Sequence, residues 1–264
     1  MAEPGNAPRA QIRGPFGLTG SVGAEIPALD LALTHALLLR ASRGELEKVV
    51  RVYRPPHRLV VFGRRDTKLP GFASSLDACE KAGFASAVRV TGGRAVAYTD
   101  EAVVIDVISR DPHASSGQQR RFIEIGRALV RTLADLGIDA RLGPVPGEYC
   151  PGAHSINARG VAKLVGTAQR VVRDAWLFSA LVVVDNAELL RPLLSQVYGT
   201  LDLPFEGASV GAVNDESGGA IRTAEVERAL IHAFAPELSF AESSRDISSL
   251  AEAHRLLPQH RAHA

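Results

Sequence analysis

The segment Gly147-Glu148-Tyr149-Cys150-Pro151-Gly152 puts a cysteine in a stretch kinked by Pro and Gly on both sides. Lys163 follows within an otherwise apolar run, Val161 to Val172. A loop thiol backed by a strand-borne cation suits acyl transfer, because the cation favours the thiolate and the thiolate is the nucleophile. Free cysteines are also among the most buried residues, so an incidental Cys150 stays open. Its flanks, Glu148, Tyr149, Pro151, Gly152 and His154, do not read as core. In Val161 to Val172 a period of two puts Lys163, Val165, Thr167, Gln169 and Val171 on one face. Leu164, Gly166 and Ala168 fall on the other. This predicts a polar pocket floor bearing Lys163, with Gly166 allowing close approach of a ligand or backbone. The alternative is a solvent-facing lysine on an edge strand.

A second cluster is Arg89-Val90-Thr91-Gly92-Gly93-Arg94-Ala95-Val96. Alternation places Arg89 and Thr91 on one face and turns Val88 and Val90 to the core. Gly92-Gly93 either lets backbone amides point at an anion or carbonyl, or makes a hairpin turn with exposed arginines. No Gly-rich turn leads into a helix with a trailing Lys-Ser or Lys-Thr, so this is not a phosphate loop. His154 is either a base beside Cys150 or an exposed loop histidine. Cys79 is expected to be inert, because the neighbouring Asp77 and Glu80 raise a thiol pKa. The eight histidines and two cysteines show no metal-ligand spacing. No Gly-x-Ser-x-Gly elbow supports a serine hydrolase.

These residues need a scaffold, and 264 residues at 46% hydrophobic content can bury a sizeable core. A net charge of +1 from interspersed charges gives no footprint for nucleic acid or an anionic membrane. Two cysteines make no disulfide framework, the first residues lack the apolar core of a signal peptide, and no run is long enough to span a bilayer. A cytoplasmic protein is the expectation.

Residues 1–20 read as a loose tail, 21–240 as one domain, and 241–264 as a tail or short helix. Apolar spacing predicts helices over 26–39, 118–136, 188–201 and 223–234, and a short one capped by Ser74 or Ser75 and stopped at Gly83. Strands are predicted over 49–53, 59–63, 87–90, 95–98, 102–108, 138–142, 161–172 and 175–184, with 203–219 a loop. Elements alternate without a strict rhythm, which predicts a mixed α/β sheet rather than a doubly wound one.

The two clusters together resemble the lipoate–protein ligase and octanoyltransferase family. Arg89 to Val96 is similar to its Arg-x-Thr-Gly-Gly-Arg-Ala-Val segment, and Lys163 to Gln169 to its Lys-x-x-Gly-x-Ala-Gln segment. Glu148 to Gly152 is similar to the loop of the cysteine-dependent transferases. The resemblance covers about 25–235. It implies an α/β (α+β) fold with a mixed, largely antiparallel sheet flanked by helices. It also implies an acyl thioester on Cys150, Lys163 as the catalytic partner, and a substrate site of Arg89, Thr91, Gly92, Gly93, Arg94, Ala95, Tyr98, Gly166, Thr167, Ala168 and Gln169. The implied donor is an acyl carrier protein or an acylated lipoyl domain. The acceptor is a lipoyl domain, either glycine cleavage H protein or dehydrogenase E2, and the enzyme is a monomer. The transferase needs no cofactor; ATP and Mg enter only for a lipoate ligase acting through lipoyl-adenylate, with Cys150 a bystander. Many relatives have His-Asp where this chain has Tyr98-Thr99, which keeps open a silent protein that binds acylated lipoyl domains.

Overall fold

The computed structural model describes residues 15–236 and 238–263. In chain order the elements are β1 (Phe16–Thr19), α1 (Leu29–Ser42), β2 (Lys48–Tyr53), β3 (Leu59–Phe62), α2 (Phe72–Lys81), β4 (Ala85–Val88), β5 (Val96–Tyr98) and β6 (Ala102–Arg110). Then come α3 (Gln118–Asp135), β7 (Ala140–Leu142), β8 (Ile156–Ala158), β9 (Ala162–Val172), β10 (Ala175–Val183), α4 (Ala187–Thr200), α5 (Val213–Ser217), α6 (Thr223–Phe234), β11 (Phe240–Glu242) and α7 (Ile247–Leu256). Eight strands form one sheet in the order β11-β1-β2-β6-β10-β9-β8-β7, and β4-β3-β5 form a second. In the large sheet β1 runs parallel to β11 and β2, and the other pairs are antiparallel.

β6 and β10 lie at the centre of the large sheet, buried on both faces, which is why Ala102–Ile108 and Ala175–Val183 read as near-continuous apolar runs. One face packs against α1, the small sheet, α2, α4 and α7, and the other against α3 and α6. A buried polar node ties α1 to the sheet. Arg51 on β2 pairs with Asp30, and Thr34 Oγ1 donates to Asp106 Oδ2 at 2.6 Å on β6. Arg51 and Asp106 are direct cross-strand neighbours. Burial pushes the Asp106 carboxyl above its usual range, and Arg51 opposes that shift.

Several expectations are corrected. Residues 1–14 of the expected tail lie outside the described residues, but Phe16–Thr19 is a strand, with Gly17 leaving room for the Phe240 ring. Helix α2 starts at Phe72 rather than at a Ser74 or Ser75 cap. Gly71 is its N-cap because a Cβ there would run into the Thr200 carbonyl, and Ser75 Oγ instead donates to Phe72 O at 2.6 Å. The segment 203–219 contains α5 and a 3-10 turn, Gly207–Ser209.

At the C-terminus, α7 docks on α1 through a short apolar face of Leu250, Ala253 and Leu256 together with polar anchors. Arg40 reaches Asp246 and Ser249, and Arg43 pairs with Glu252. Beyond it the buried His260 donates from Nδ1 to Val88 O at 2.9 Å, and its Nε2 lies 3.2 Å from His35 Nδ1. Burial first, then Arg64 and Arg170 for His35 and the His35 ring and Arg64 for His260, hold both imidazoles down at about 4. The unfolded chain therefore binds more protons than the native one between about pH 6.5 and 4, so stability falls as pH drops through that window. Melting temperatures at pH 7.5 and 5 check this. His260→Gln should shrink the acid-side drop, and an unchanged drop would contradict the assignment.

Candidate active site

The Cys150 loop is built around one carboxylate. Glu148 is 2% exposed. Its Oε1 accepts from the amides of Val145 (3.3 Å) and Gly152 (3.2 Å), and its Oε2 accepts from Ser155 Oγ at 2.7 Å. Oε2 also lies 2.9 Å from Lys163 Nζ. The ammonium, 1% exposed, donates to Tyr149 O at 2.8 Å and Cys150 O at 3.0 Å, and sits 4.6 Å from the Tyr149 ring centroid. A lysine carries three donors, and here all three have acceptors. This clamp holds Cys150 at φ +44, in the left-handed region that non-glycine residues rarely occupy.

Lys163 reaches the loop because β9 carries a bulge. Val165 pairs with Ile156 and Lys163 with Asn157, so Leu164 is the extra residue. The phase shift moves Lys163 onto the face of Gly166, where a Cβ would stand 3.5 Å from Lys163 Cε. Strict alternation put Lys163 with Thr167 and Gln169; the structure separates them. Thr167 Oγ1 donates to His154 O at 3.0 Å. Gln169 Oε1 accepts from Arg121 Nε at 3.0 Å, and its Nε2 donates to Gln118 O at 3.0 Å, so both residues face α3.

The second cluster wraps the sulfur. β4 ends at Val88, and the buried Arg89 then organises the turn. Its Nη1 donates to Val61 O (2.8 Å), its Nε and Nη2 to Gly92 O, and its Nη2 to Arg94 O (2.6 Å). The same Nη2 lies 3.6 Å from Cys150 Sγ, and the Arg94 amide donates to Sγ at 3.2 Å. Two donors, one of them cationic, are complementary to a thiolate. They are Arg89 and the Arg94 amide rather than Lys163, whose hydrogen bonds go to the loop carbonyls and Glu148. The Gly92 amide is spent on Gln169 O at 3.3 Å. Gly93 has φ +100, and a Cβ there would sit 2.5 Å from Sγ and 2.9 Å from Arg89 Nη2. The Cys150 amide donates to Tyr198 Oη (2.6 Å), which donates to Ala95 O (2.9 Å). The Arg94 side chain pairs with the buried Asp66 at 3.1 Å, which fixes the turn from the far side.

Cys150 stands between two spaces. An open groove of about 600 Å³ runs past Gly93, Gln119, Phe122, His154 and Gln169. On the other side a narrow cavity is lined by Thr91, Val96, Tyr98, Gly166, Ala168 and Leu181. It shares Thr91, Tyr98 and Ser179 with a second small cavity that reaches Thr34, Tyr53 and Asp106. The structure thus gathers Arg89 to Tyr98 and Gly166 to Gln169 around the thiol. Glu148, Tyr198 and Asp66 complete the site, and their positions in loop and helix carried no periodic signal. Cys79 is buried in α2, and burial, not Asp77 or Glu80, pushes its thiol up. Among the described residues no group of His, Cys, Asp and Glu has the arrangement of a metal site.

Residues 27–235 match the family described as the lipoyl protein ligase A/B catalytic domain. The chain belongs to that family. It is 29% identical over 233 residues to octanoyltransferase LipM of Kyrpidia tusciae, a match covering 80% of this chain and 83% of that one. It is 27% identical over 158 residues to octanoyl-[GcvH]:protein N-octanoyltransferase of Anoxybacillus flavithermus, covering 60% of this chain but only 56% of that protein. Lipoate-protein ligase A bound with ATP superposes with a TM-score of 0.73 at 23% identity, covering 94% of this chain and 95% of that structure. A bi-partite lipoate protein ligase of Thermoplasma acidophilum, solved in a study with its E2 lipoyl domain, gives 0.68 at 20% identity, covering 94% and 92%. The fold is therefore that of lipoate ligase catalytic domains, with a large mixed sheet flanked by helices.

The sulfur's position in this family member depends on the absence of a Cβ at position 93. Gly93→Ala should slow iodoacetamide alkylation of Cys150 by about tenfold or more, and strain at φ +100 should cost roughly 1–3 kcal/mol of stability. Alkylation at the wild-type rate would contradict the contact.

Proposed function

We propose that this chain is an acyltransferase of protein lipoylation that carries an octanoyl group as a thioester on Cys150. The observation that carries the reading is the sulfur itself, 3.2 Å from the Arg94 amide and 3.6 Å from Arg89, at the mouth of a narrow cavity. The relatives named octanoyltransferases support it.

In the first half-reaction Sγ attacks the thioester carbonyl of an octanoyl carrier. The new C–S bond forms, the carrier's C–S bond breaks, and the carrier thiolate leaves with the Cys150 proton. The Arg94 amide that faces the sulfur also lies beside the carbonyl carbon it attacks, where negative charge develops on oxygen. The alkyl chain points into the cavity between Val96, Tyr98, Gly166 and Leu181, which at about 30 Å³ must widen to take it, each buried methylene then contributing roughly 0.8 kcal/mol. In the second half-reaction the lysine of an acceptor lipoyl domain attacks from the open groove. The C–N bond forms, the C–S bond breaks and Cys150 is regenerated. A thioester exchanged for a thioester, then for an amide, runs downhill without ATP. The acceptor is a lipoyl domain; in the relatives' names GcvH stands on the donor side, as octanoyl-[GcvH]. Lys163 and Glu148 position the loop. Among the described residues no helix is long and apolar enough to cross a membrane.

Intact mass after incubation with octanoyl carrier protein, without ATP, tests the reading. The expected result is one octanoyl adduct, released by hydroxylamine and absent in Cys150→Ala. Lipoylation that needs ATP and free lipoate, and survives Cys150→Ala, would overturn it in favour of a ligase.

A further inference from the structure

The second half-reaction needs a base. An acceptor lysine, with an ordinary pKa of about 10.4, arrives at neutral pH as an ammonium and attacks only after losing a proton. Lys163 is unsuited to take it. Its ammonium is buried, its three N–H groups face Tyr149 O, Cys150 O and Glu148, and neutralising it would leave the Glu148 charge unpaired. Glu148 itself is buried behind the loop with both oxygens engaged. Once acylated, the Cys150 sulfur is no base.

Among the described residues that line the groove, His154 is the one titratable side chain besides Cys150. Its ring is held in place, stacked on Phe122 with centroids 4.9 Å apart and planes 12° from parallel. Its own carbonyl accepts from Thr167. Its Nε2 lies 3.1 Å from Gln119 Nε2. With that amide as donor, Nε2 carries the lone pair and the ring proton sits on Nδ1. The partners from α3 and β9 that touch the ring or its carbonyl are uncharged. The cations of α3 next to Gln119 and Phe122 in the chain are engaged elsewhere, Arg121 with Gln169 and the Ala114 carbonyl, and Arg120 toward Glu124.

We propose that His154 accepts the proton of the incoming lysine during discharge of acyl-Cys150. This rests on the acyltransferase reading. The ammonium replaces the Gln119 amide at Nε2, an N–H bond of the ammonium breaks, and an Nε2–H bond forms. The freed nitrogen pair makes the C–N bond. As the C–S bond breaks, its electron pair goes to Sγ and the second amine proton follows it, restoring the thiol. The imidazolium returns its proton to water in the open groove.

Single-turnover discharge of octanoyl-Cys150 tests this, with a lipoyl domain and with hydroxylamine as acceptors. Hydroxylamine is already neutral at pH 7 and needs no prior deprotonation. His154→Gln, with His154→Asn as a second variant, should form the acyl adduct at the wild-type rate and discharge it to hydroxylamine normally. Discharge to lysine at pH 7 should fall about 100-fold or more, with the deficit closing as pH rises toward the lysine pKa. Unchanged discharge to lysine, an equal loss with both nucleophiles, or a deficit independent of pH would each overturn the proposal. A wild-type chain that acquires no adduct overturns the acyltransferase reading instead, and this assignment with it.

Discussion

The Glu148–Lys163 ion pair is the interaction on which the rest of the site depends. Both groups are almost fully buried, so desolvation is a cost of several kcal/mol per ion, and Coulomb attraction offsets it only if every remaining donor and acceptor is used. That condition is met by the loop itself. Glu148 takes the amides of Val145 and Gly152 and the Ser155 hydroxyl, and Lys163 takes the successive carbonyls of Tyr149 and Cys150. A pair of charges that satisfies its shell with one loop's backbone dictates that loop's conformation. The outcome is the Cys150 thiol held at positive φ, a geometry the chain would not adopt unaided.

The other half of the site is complementary. Arg89 folds Gly92, Gly93 and Arg94 around its guanidinium, and the missing Cβ at Gly93 admits the sulfur to the Arg94 amide. Tyr198 joins the halves, accepting from the Cys150 amide and donating to Ala95 O. The cation that stabilises the loop and the cation that faces the sulfur are different residues. Lys163 sets where Cys150 is, and Arg89 with the Arg94 amide sets what the sulfur meets there.

The central strands were legible in the sequence because β6 and β10 are buried on both faces and read as unbroken apolar runs. The residue clusters were legible as clusters, since Cys150, Arg89 to Ala95 and Lys163 to Gln169 do converge. Their roles were less so. Alternation assigned Lys163 to the face of Thr167, and one bulge at Leu164 reversed it, since a single inserted residue inverts the phase of a strand. Tyr198 reads as one more apolar position of α4, and Glu148 as a loop carboxylate. Each gains its meaning from partners 48 and 15 residues away. The C-terminal helix was faint because its apolar face is short, Leu250, Ala253 and Leu256, with charged and hydroxyl side chains supplying further anchors while Ile247 stays exposed.

If the ion pair positions the nucleophile, removing it should disable chemistry without unfolding the protein. The double replacement Glu148→Gln with Lys163→Met takes away both charges together, so neither is left stranded in the interior. The decisive measurement is its single-turnover rate of Cys150 octanoylation by carrier protein, with circular dichroism and thermal melting to confirm the fold. A folded variant whose acylation falls by about 100-fold, the loss expected for a nucleophile misplaced by about 1 Å, is the predicted result. Acylation at the wild-type rate would contradict the account.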